Sequence, residues 1–350
     1  MLINGVCMRI WIDVSNAPQV HFFKNVYRRL VREGHDVLVT GRRFGALEAL
    51  LDGSCIPYTL VGEHGGSQKD EKLRASSRRV LGLTDTVSSF APDVALYKHS
   101  VEAPRVSYGL GIPSLCVLDN EHAIAQNKLM LPLSTKVIAP RAIEAPLITR
   151  FGVDPGQIRH FEGFCELAHI EDFIPSPHVL DDLGLDPDRP IAVMRPEPVM
   201  ANYYQGDPSV SIVSPLLDRL SDFQCVGIPR TQLQEALFRR DGAIVPSACI
   251  DALSLMHYAD VVISAGGSMN REGVAMAKPA ISTYPQQLLA VTDYMVHEGI
   301  KSHSCDAEEI VGIIERLHGN RAYGHHVAER LKRMENPIDV IVQELAALEQ

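Results

Sequence analysis

The sequence predicts an α/β protein built from two successive domains, each a parallel sheet covered by helices on both faces. Three observations predict this. The chain has 350 residues, more than one ordinary core accommodates and suited to two. Short apolar runs without polar alternation recur between stretches of helical period, which is how strands buried on both faces read. The alternation breaks over residues 162–189, rich in acids and holding Pro175, Pro177 and Pro187, and then starts again.

Arg9–Val14, with the sequence RIWIDV, is the first expected strand, and Ser15-Asn16-Ala17-Pro18-Gln19 its loop. Residues 20–33 form an expected helix because Phe22, Phe23, Val26, Tyr27, Leu30 and Val31 recur near period 3.6. Gly34 suits the position that ends it. A short helix is expected over residues 44–51, and further strands over 36–40, 58–61, 93–97, 114–118 and 136–139. The glycine-rich segment 62–68 reads as a mobile surface loop or a lid over substrate. Past the junction come strands at 191–194, 224–228, Val261–Ser264 and 280–283. Helices are expected between them at 210–220, Gln232–Arg240, 250–258 and 268–277. The expected domains are therefore 1–165 and 190–320, joined by a linker at 166–189. A helical segment at 321–350 is expected to cross back to the first domain. Residues 1–7 read as an extension ahead of a natural start at Met8.

Composition excludes several classes. Hydrophobic residues make up 46% and charged residues 22%, a globular rather than a disordered profile. The net charge of −10 disfavours nucleic acid, whose phosphates need lysine and arginine. No apolar run reaches the roughly 20 residues that span a bilayer, no signal peptide precedes the first strand, and no basic amphipathic helix declares a peripheral membrane contact. The seven cysteines are scattered, with no C-x-x-C pair. That pattern suits a reducing cytoplasm and argues against a zinc site.

The most informative motif is Val261-Val262-Ile263-Ser264-Ala265-Gly266-Gly267-Ser268-Met269-Asn270-Arg271-Glu272. A strand runs into two glycines and opens a helix. Gly266 and Gly267 let backbone approach a ligand. Ser268 is placed to cap the helix, whose amides and dipole favour a phosphate. Glu272 lies one turn on, on the face of Ser268. The plainer reading is a tight turn with a helix cap. Arg195 and Arg230 end the first two strands of the second half, where a guanidinium can pair with a diphosphate. Otherwise each is a solvated arginine or a structural ion pair. In the first half, His21 begins the first helix, and Glu121 and His122 follow the strand at 114–118. All lie at the sheet edge where α/β proteins bind ligands. A carboxylate beside an imidazole can activate a hydroxyl, or the cluster can be a helix cap led by Asp119. None of these groups has metal-ligand spacing.

Residues 246–279, around the glycine turn, resemble the nucleotide-binding segment of GT-B proteins. The non-hydrolysing UDP-N-acetylglucosamine 2-epimerases and the lipid-II-forming N-acetylglucosaminyltransferase carry such a segment. There the glycine turn holds the diphosphate and a glutamate on the next helix binds the ribose, a position matched by Glu272. The epimerases place a second acid beside it, where this chain has Arg271. Tyr97-Lys98-His99-Ser100, Gly111-Ile112-Pro113-Ser114 and Asp119-Asn120-Glu121-His122-Ala123 resemble the epimerase run of two strand ends. Glu121 falls at the epimerase glutamate, but His99-Ser100 stand where an aspartate is expected. From Met8 onward the chain also resembles an uncharacterised, largely archaeal domain-of-unknown-function family often called predicted glycosyltransferases. Its hallmarks here are Pro18 with His21-Phe22-Phe23, Asp119 to His122, Gly163 with Glu166, Arg195-Pro196 followed by Ala201-Asn202-Tyr203, and the glycine turn.

These resemblances imply a GT-B fold, two Rossmann-like domains whose parallel sheets face an interdomain cleft. They imply a nucleotide sugar, expected to be a UDP sugar, held by Arg195, Arg230, Gly266, Gly267, Ser268, Met269, Asn270 and Glu272. His21, Glu121 and His122 are the expected catalytic residues. The expected activity is glycosyl transfer to a glycan, lipid or small-molecule acceptor, with no metal and no further cofactor. The base, sugar, acceptor and oligomeric state are not specified. An epimerase-like isomerase and a non-catalytic nucleotide-sugar-binding protein are the alternatives.

Overall fold

A computed structural model describes residues 7–66, 68–199, 211–248 and 250–348. The chain divides into two units, Met1–Glu171 with Glu335–Gln350, and Asp172–Met334. In the first unit, strands and helices alternate as β1 (Arg9–Val14), α1 (Ala17–Arg32), β2 (Asp36–Arg43), α2 (Leu47–Ser54), β3 (Thr59–Glu63), α3 (Lys69–Phe90), β4 (Val94–Lys98), α4 (Ala103–Gly109), β5 (Ser114–Val117), α5 (Ile124–Met130), β6 (Lys136–Pro140), α6 (Ala145–Thr149) and β7 (Ile158–Phe161). The sheet order is β3-β2-β1-β4-β5-β6-β7, and every pairing is parallel. This is the Rossmann order with one strand added. Ile10, Trp11 and Ile12 of the interior strand β1 are wholly buried, as expected for a strand covered on both faces.

Helix α1 begins three residues earlier than its apolar period suggests. Pro18 occupies its first turn, where a missing N–H costs nothing. Gln19 Oε1 accepts hydrogen bonds from the Ser15 and Asn16 amides at 2.6 and 3.3 Å, closing the turn from β1. A buried polar network pins β1 to α3 and α4. Arg79 Nη2 lies 2.6 Å from Asp13 Oδ1, and Arg79 Nη1 lies 3.2 Å from Glu102 Oε2. Thr40 and Ser100 hydroxyls each donate to the Asp13 carboxylate at 2.6 Å.

The second unit runs α7 (His178–Leu183), β8 (Ile191–Arg195), β9 (Gln224–Gly227), α8 (Gln232–Arg240), α9 (Ala252–Tyr258), β10 (Val261–Ser264), α10 (Gly267–Ala275), β11 (Ala280–Ser282), α11 (Ala290–His297), β12 (Ser302–His303), α12 (Ala307–Leu317) and α13 (Arg321–Leu331). Its sheet, also parallel, has the order β12-β11-β10-β8-β9. Two apolar clusters cover its faces. One is built on Met194, Ile263, Phe238 and Ile314, the other on Val193, Val262, Leu255 and Met269. The helix expected over 210–220 appears as a single 3-10 segment, Ser214–Arg219. Residues 201–210 lie outside the described residues, and with them Ala201, Asn202 and Tyr203.

Two boundaries differ from expectation. The stretch 166–189 is not a linker. Cys165–Ile170 folds against α1, where Asn25 Nδ2 donates to the Ala168 carbonyl at 2.7 Å, whereas α7 packs into the second unit through Val179 and Leu180. Of the segment 321–350, only α14 (Pro337–Leu348) returns to the first unit. It buries Ile338, Ile341 and Leu345 beside Phe23, Val26 and Leu30 of α1. At roughly 1.5–3 kcal/mol per fully buried aliphatic side chain, that face is ample reason for the return. Helix α13 stays with the second unit, buries only Val327, and ties Tyr323 Oη to the Ile300 carbonyl at 2.9 Å. Among the described residues no helix is long and apolar enough to cross a membrane.

Candidate functional site

In the second unit the strand order reverses between β8 and β10, which lie side by side although β9 separates them in sequence. Ligands of open α/β sheets bind at the carboxyl ends of strands at such a point. Arg195 ends β8 and pairs in register with Ser264, which ends β10. The glycine turn follows. Its backbone is extended at Gly266, with φ −99° and ψ 140°, so the glycines are not required by torsion. Close approach of two arginine side chains favours them. A Cβ on Gly266 would overlap Arg230 Nη2, and a Cβ on Gly267 would stand 2.7 Å from Arg271 Nη1. Two guanidinium groups thus lie against the bare amino terminus of α10. Arg195, at the end of β8, has its Nε buried without a hydrogen-bond partner among the described residues. Burial lowers the pKa of Arg195, and the charge of Glu272 counters this, so the two side chains share one environment.

The turn is braced from within. Ser264 Oγ accepts from the Gly266 amide at 2.9 Å, and Asn270 Nδ2 donates to the Ser264 and Gly266 carbonyls at 2.5 and 3.1 Å. Asn270 is fully buried, and among the described residues its Oδ1 accepts no hydrogen bond. Two expectations need correction. Ser268 is not the helix cap, because α10 starts one residue earlier, with Gly266 at the cap and no side-chain cap bond. Ser264, inside the strand, does that holding instead. Met269 offers no side chain to a ligand, since it is 2% exposed and packed in the core against Val193 and Val262. Glu272 keeps its expected place one turn into α10 and is 8% exposed. Sequence reasoning passed over Arg271 as a departure from a related pattern. Its return to Gly267, four residues back along one helical face, was the available signal.

The first unit reverses its strand order between β1 and β4. At that edge stand Lys98, His99 and Ser100 after β4, and Asp119 to His122 after β5. Glu121 is 2% exposed. Its Oε1 lies 3.6 Å from His122 Nε2, and its carbonyl accepts from Arg150 Nη2 at 2.7 Å. His21 is the fifth residue of α1, half-buried, with its ring 5.9 Å from that of His169. Asp119 does not cap α5, whose cap residue is Ala123. It pairs instead with Lys98 Nζ at 2.6 Å. Burial would lower the pKa of Lys98, but Asp119, helped by Cys165 and Glu166, outweighs it and holds the ammonium above the ordinary lysine range. The Phe22 ring adds a cation–π contact at 5.0 Å. In the first unit His21 therefore follows β1 and Glu121 and His122 follow β5, with Lys98 and Asp119 paired between the ends of β4 and β5 and His169 near the ring of His21. Among the described residues, no three or more His, Cys, Asp or Glu side chains are placed to hold a metal.

Two parallel Rossmann-like sheets, each with ligand-type loops at its reversal point, define a protein of GT-B type. The chain belongs to the family described as "Protein of unknown function (DUF354)", whose model matches residues 8–349. It is 40% identical over 319 residues to the uncharacterized protein MJ0665 of Methanocaldococcus jannaschii, covering 89% of this chain and 92% of that one. Among solved structures it is similar to the UDP-GlcNAc 2-epimerase of Methanocaldococcus jannaschii, with a TM-score of 0.72, 12% identity, and 97% and 100% of the two chains covered. It is similar to the UDP-GlcNAc 2-epimerase of Neisseria meningitidis bound to UDP-GlcNAc, with a TM-score of 0.72, 14% identity, and 97% and 99% covered. The glycotransferase of kitacinnamycin matches with a TM-score of 0.64 at 15% identity over 96% and 99% of the chains. At these identities the likeness is one of fold.

Proposed function

We propose that this chain is a nucleotide-sugar-dependent glycosyltransferase, with UDP as the favoured nucleotide. The observation that carries the reading is the placing of Arg230 and Arg271 against the amino terminus of α10, with Arg195 at the end of the neighbouring strand in the electrostatic environment of Glu272 on that helix. Helix amides and arginine forks together suit a diphosphate, and the buried Arg195 Nε gains an acceptor when a phosphate oxygen arrives. These groups would also stabilise the negative charge of a departing nucleoside diphosphate. Glu272 would accept from a ribose hydroxyl. The first unit would supply the acceptor contacts and the acid–base groups, drawn from His21, Glu121, His122 and their neighbours.

A second reading, epimerisation of a UDP sugar, is favoured by the full-length fold likeness to 2-epimerases and by the place of Glu121. Product analysis separates the two. The purified chain is incubated with UDP-N-acetylglucosamine and other nucleotide sugars after a thermal-shift screen, since a ligand bound only by the folded state raises its stability. Released nucleoside diphosphate with a new glycoside supports transfer. An altered sugar still on its nucleotide supports epimerisation. Absence of a shift with every nucleotide diphosphate tested refutes both.

A further inference from the structure

We propose that His99 is the catalytic base of the first unit, held by Asp119 and Lys98, and that it takes the proton of the acceptor hydroxyl. The inference rests on the glycosyl-transfer reading above and adds a residue outside the expected catalytic set. The first argument is position. His99 directly follows β4, at the carboxyl edge where the first sheet reverses its strand order.

The second argument is backbone conformation. His99 adopts φ +52°, a left-handed conformation uncommon for a residue with a side chain. The other described non-glycine residues with positive φ are Cys55, Ala91, Asp172 and Ala277. Cys55 and Ala91 are the cap residues of α2 and α3, and Ala277 lies just past α10, where a left-handed residue closes a helix. His99 closes none. Its conformation is imposed from both sides. Gln19 Nε2 donates to the Lys98 carbonyl at 2.5 Å, and Ser100 Oγ donates to Asp13 Oδ2 at 2.6 Å. Conformational strain of this kind gathers at functional positions.

The third argument is the side-chain relay. His99 Nε2 lies 2.5 Å from Asp119 Oδ1, and Asp119 Oδ2 lies 2.6 Å from Lys98 Nζ. Asp119 is thus ion-paired with a buried lysine through its second oxygen. A carboxylate only accepts, so Nε2 carries the proton and Nδ1 is the basic nitrogen. An imidazole oriented by a carboxylate is the arrangement that lets histidine act as a base. The alternative pair is weaker. His122 Nε2 stands 3.6 Å from Glu121, beyond a hydrogen bond, and the Glu121 carboxylate is buried. The His99 side chain is 17% exposed, so it is held yet reachable.

In the step assigned here, the acceptor oxygen forms its bond to the anomeric carbon as its proton passes to His99 Nδ1. The bond from the anomeric carbon to the phosphate oxygen breaks, and its electron pair leaves with the nucleoside diphosphate. Asp119 stabilises the resulting imidazolium, which returns its proton to solvent. Asp119 and Lys98 are positioning residues, and His99 touches the reacting hydroxyl.

The test combines two measurements on the full chain. Long-range ¹H–¹⁵N correlation spectra of histidine-labelled protein, with the signal assigned by His99→Asn, report the tautomer. The expected result is protonated Nε2 and bare Nδ1, with the signal moved by Asp119→Asn. Protonated Nδ1, or a signal indifferent to Asp119→Asn, overturns the proposal. Asparagine tolerates the left-handed backbone, so His99→Asn should keep the wild-type melting temperature. With the donor that the wild type turns over, it should lose roughly 10²–10⁴-fold in kcat with little change in KM, and undiminished kcat overturns the proposal. The two failures are distinct. A wild type that turns over no nucleotide sugar removes the transfer step itself, whereas turnover persisting in His99→Asn removes His99 alone.

Discussion

Replacing Gly266 by alanine tests the reading of the glycine turn in its most specific form. The backbone there is extended, so alanine introduces no torsional strain. The new methyl group would overlap Arg230 Nη2 and touch Ser264 Oγ at 3.4 Å. The base of Arg230 is held, since its amide donates to Gln234 Oε1 at 2.9 Å and its Nε to the Pro196 carbonyl at 3.3 Å. The Nη end, the far end of a flexible side chain, must therefore give way, and folding should be little affected. If that end contacts a phosphate, the loss is one hydrogen bond between charged groups, about 1.5–3 kcal/mol. UDP should then bind roughly 10- to 150-fold more weakly. Calorimetric titration with UDP gives the affinity, and thermal denaturation without ligand checks the fold. In an Arg230→Ala background the same glycine substitution should cost little, because its target is already gone. Wild-type affinity in Gly266→Ala, or an equal loss in both backgrounds, would refute the assignment of Arg230 to the ligand.

Three further outcomes follow from the structure. Glu272→Ala should weaken UDP binding by about 1–3 kcal/mol without matching loss of melting temperature, and an unchanged calorimetric affinity counts against its contact with the nucleotide. Burial would raise the pKa of Asp13, but the Arg79 charge, with hydrogen bonds from Arg79, Ser100 and Thr40, outweighs it and holds the carboxyl below its ordinary 3.8. Stability from that group is complete above this value and is lost as pH falls toward the depressed one. Asp13→Asn should cost about 3 kcal/mol or more at neutral pH and flatten the stability loss below pH ~4, as urea melts across pH would record; parallel pH curves would contradict the network. Ile341→Ala in α14, fully buried against the first unit, should cost about 2–5 kcal/mol, and a denaturation midpoint equal to that of the wild type would mean that the returning helix contributes no stability.

Much of the architecture was legible because its signals are local. The apolar run within Arg9–Val14 marks a strand buried on both faces, and it lies inside its sheet between β2 and β4. The period of Phe22, Phe23, Val26 and Leu30 marks α1, and all four face the core. The strand-glycine-glycine-helix order places a close-approach turn at Gly266 and Gly267. Arg195 was visible as the end of β8, whereas Arg230 stands in the loop three residues past the end of β9. The strands β7 and β12 were not visible, because β7 interrupts its apolar residues with Arg159 and His160 and is buried only at Phe161, and β12 has two residues. The start of α1 was misjudged because Ala17, Pro18 and Gln19 show capping chemistry rather than apolar period.

Contacts across sequence distance were decided only by the tertiary structure. Asp119 reads as a helix cap when its neighbours in sequence are its only context. Parallel pairing of β4 with β5 brings it to Lys98 and His99 instead, some twenty residues away, and an ion pair outweighs a local cap. The reason for Gly266 and Gly267 likewise lies in two arginines, one from the loop after β9 and one from the next helical turn, and not in their own torsions. Likewise, the apolar face of α14 could be read along the chain, but its partner could not. A hydrophobic face specifies that it must be covered, and only the packed core of the first unit determines by what.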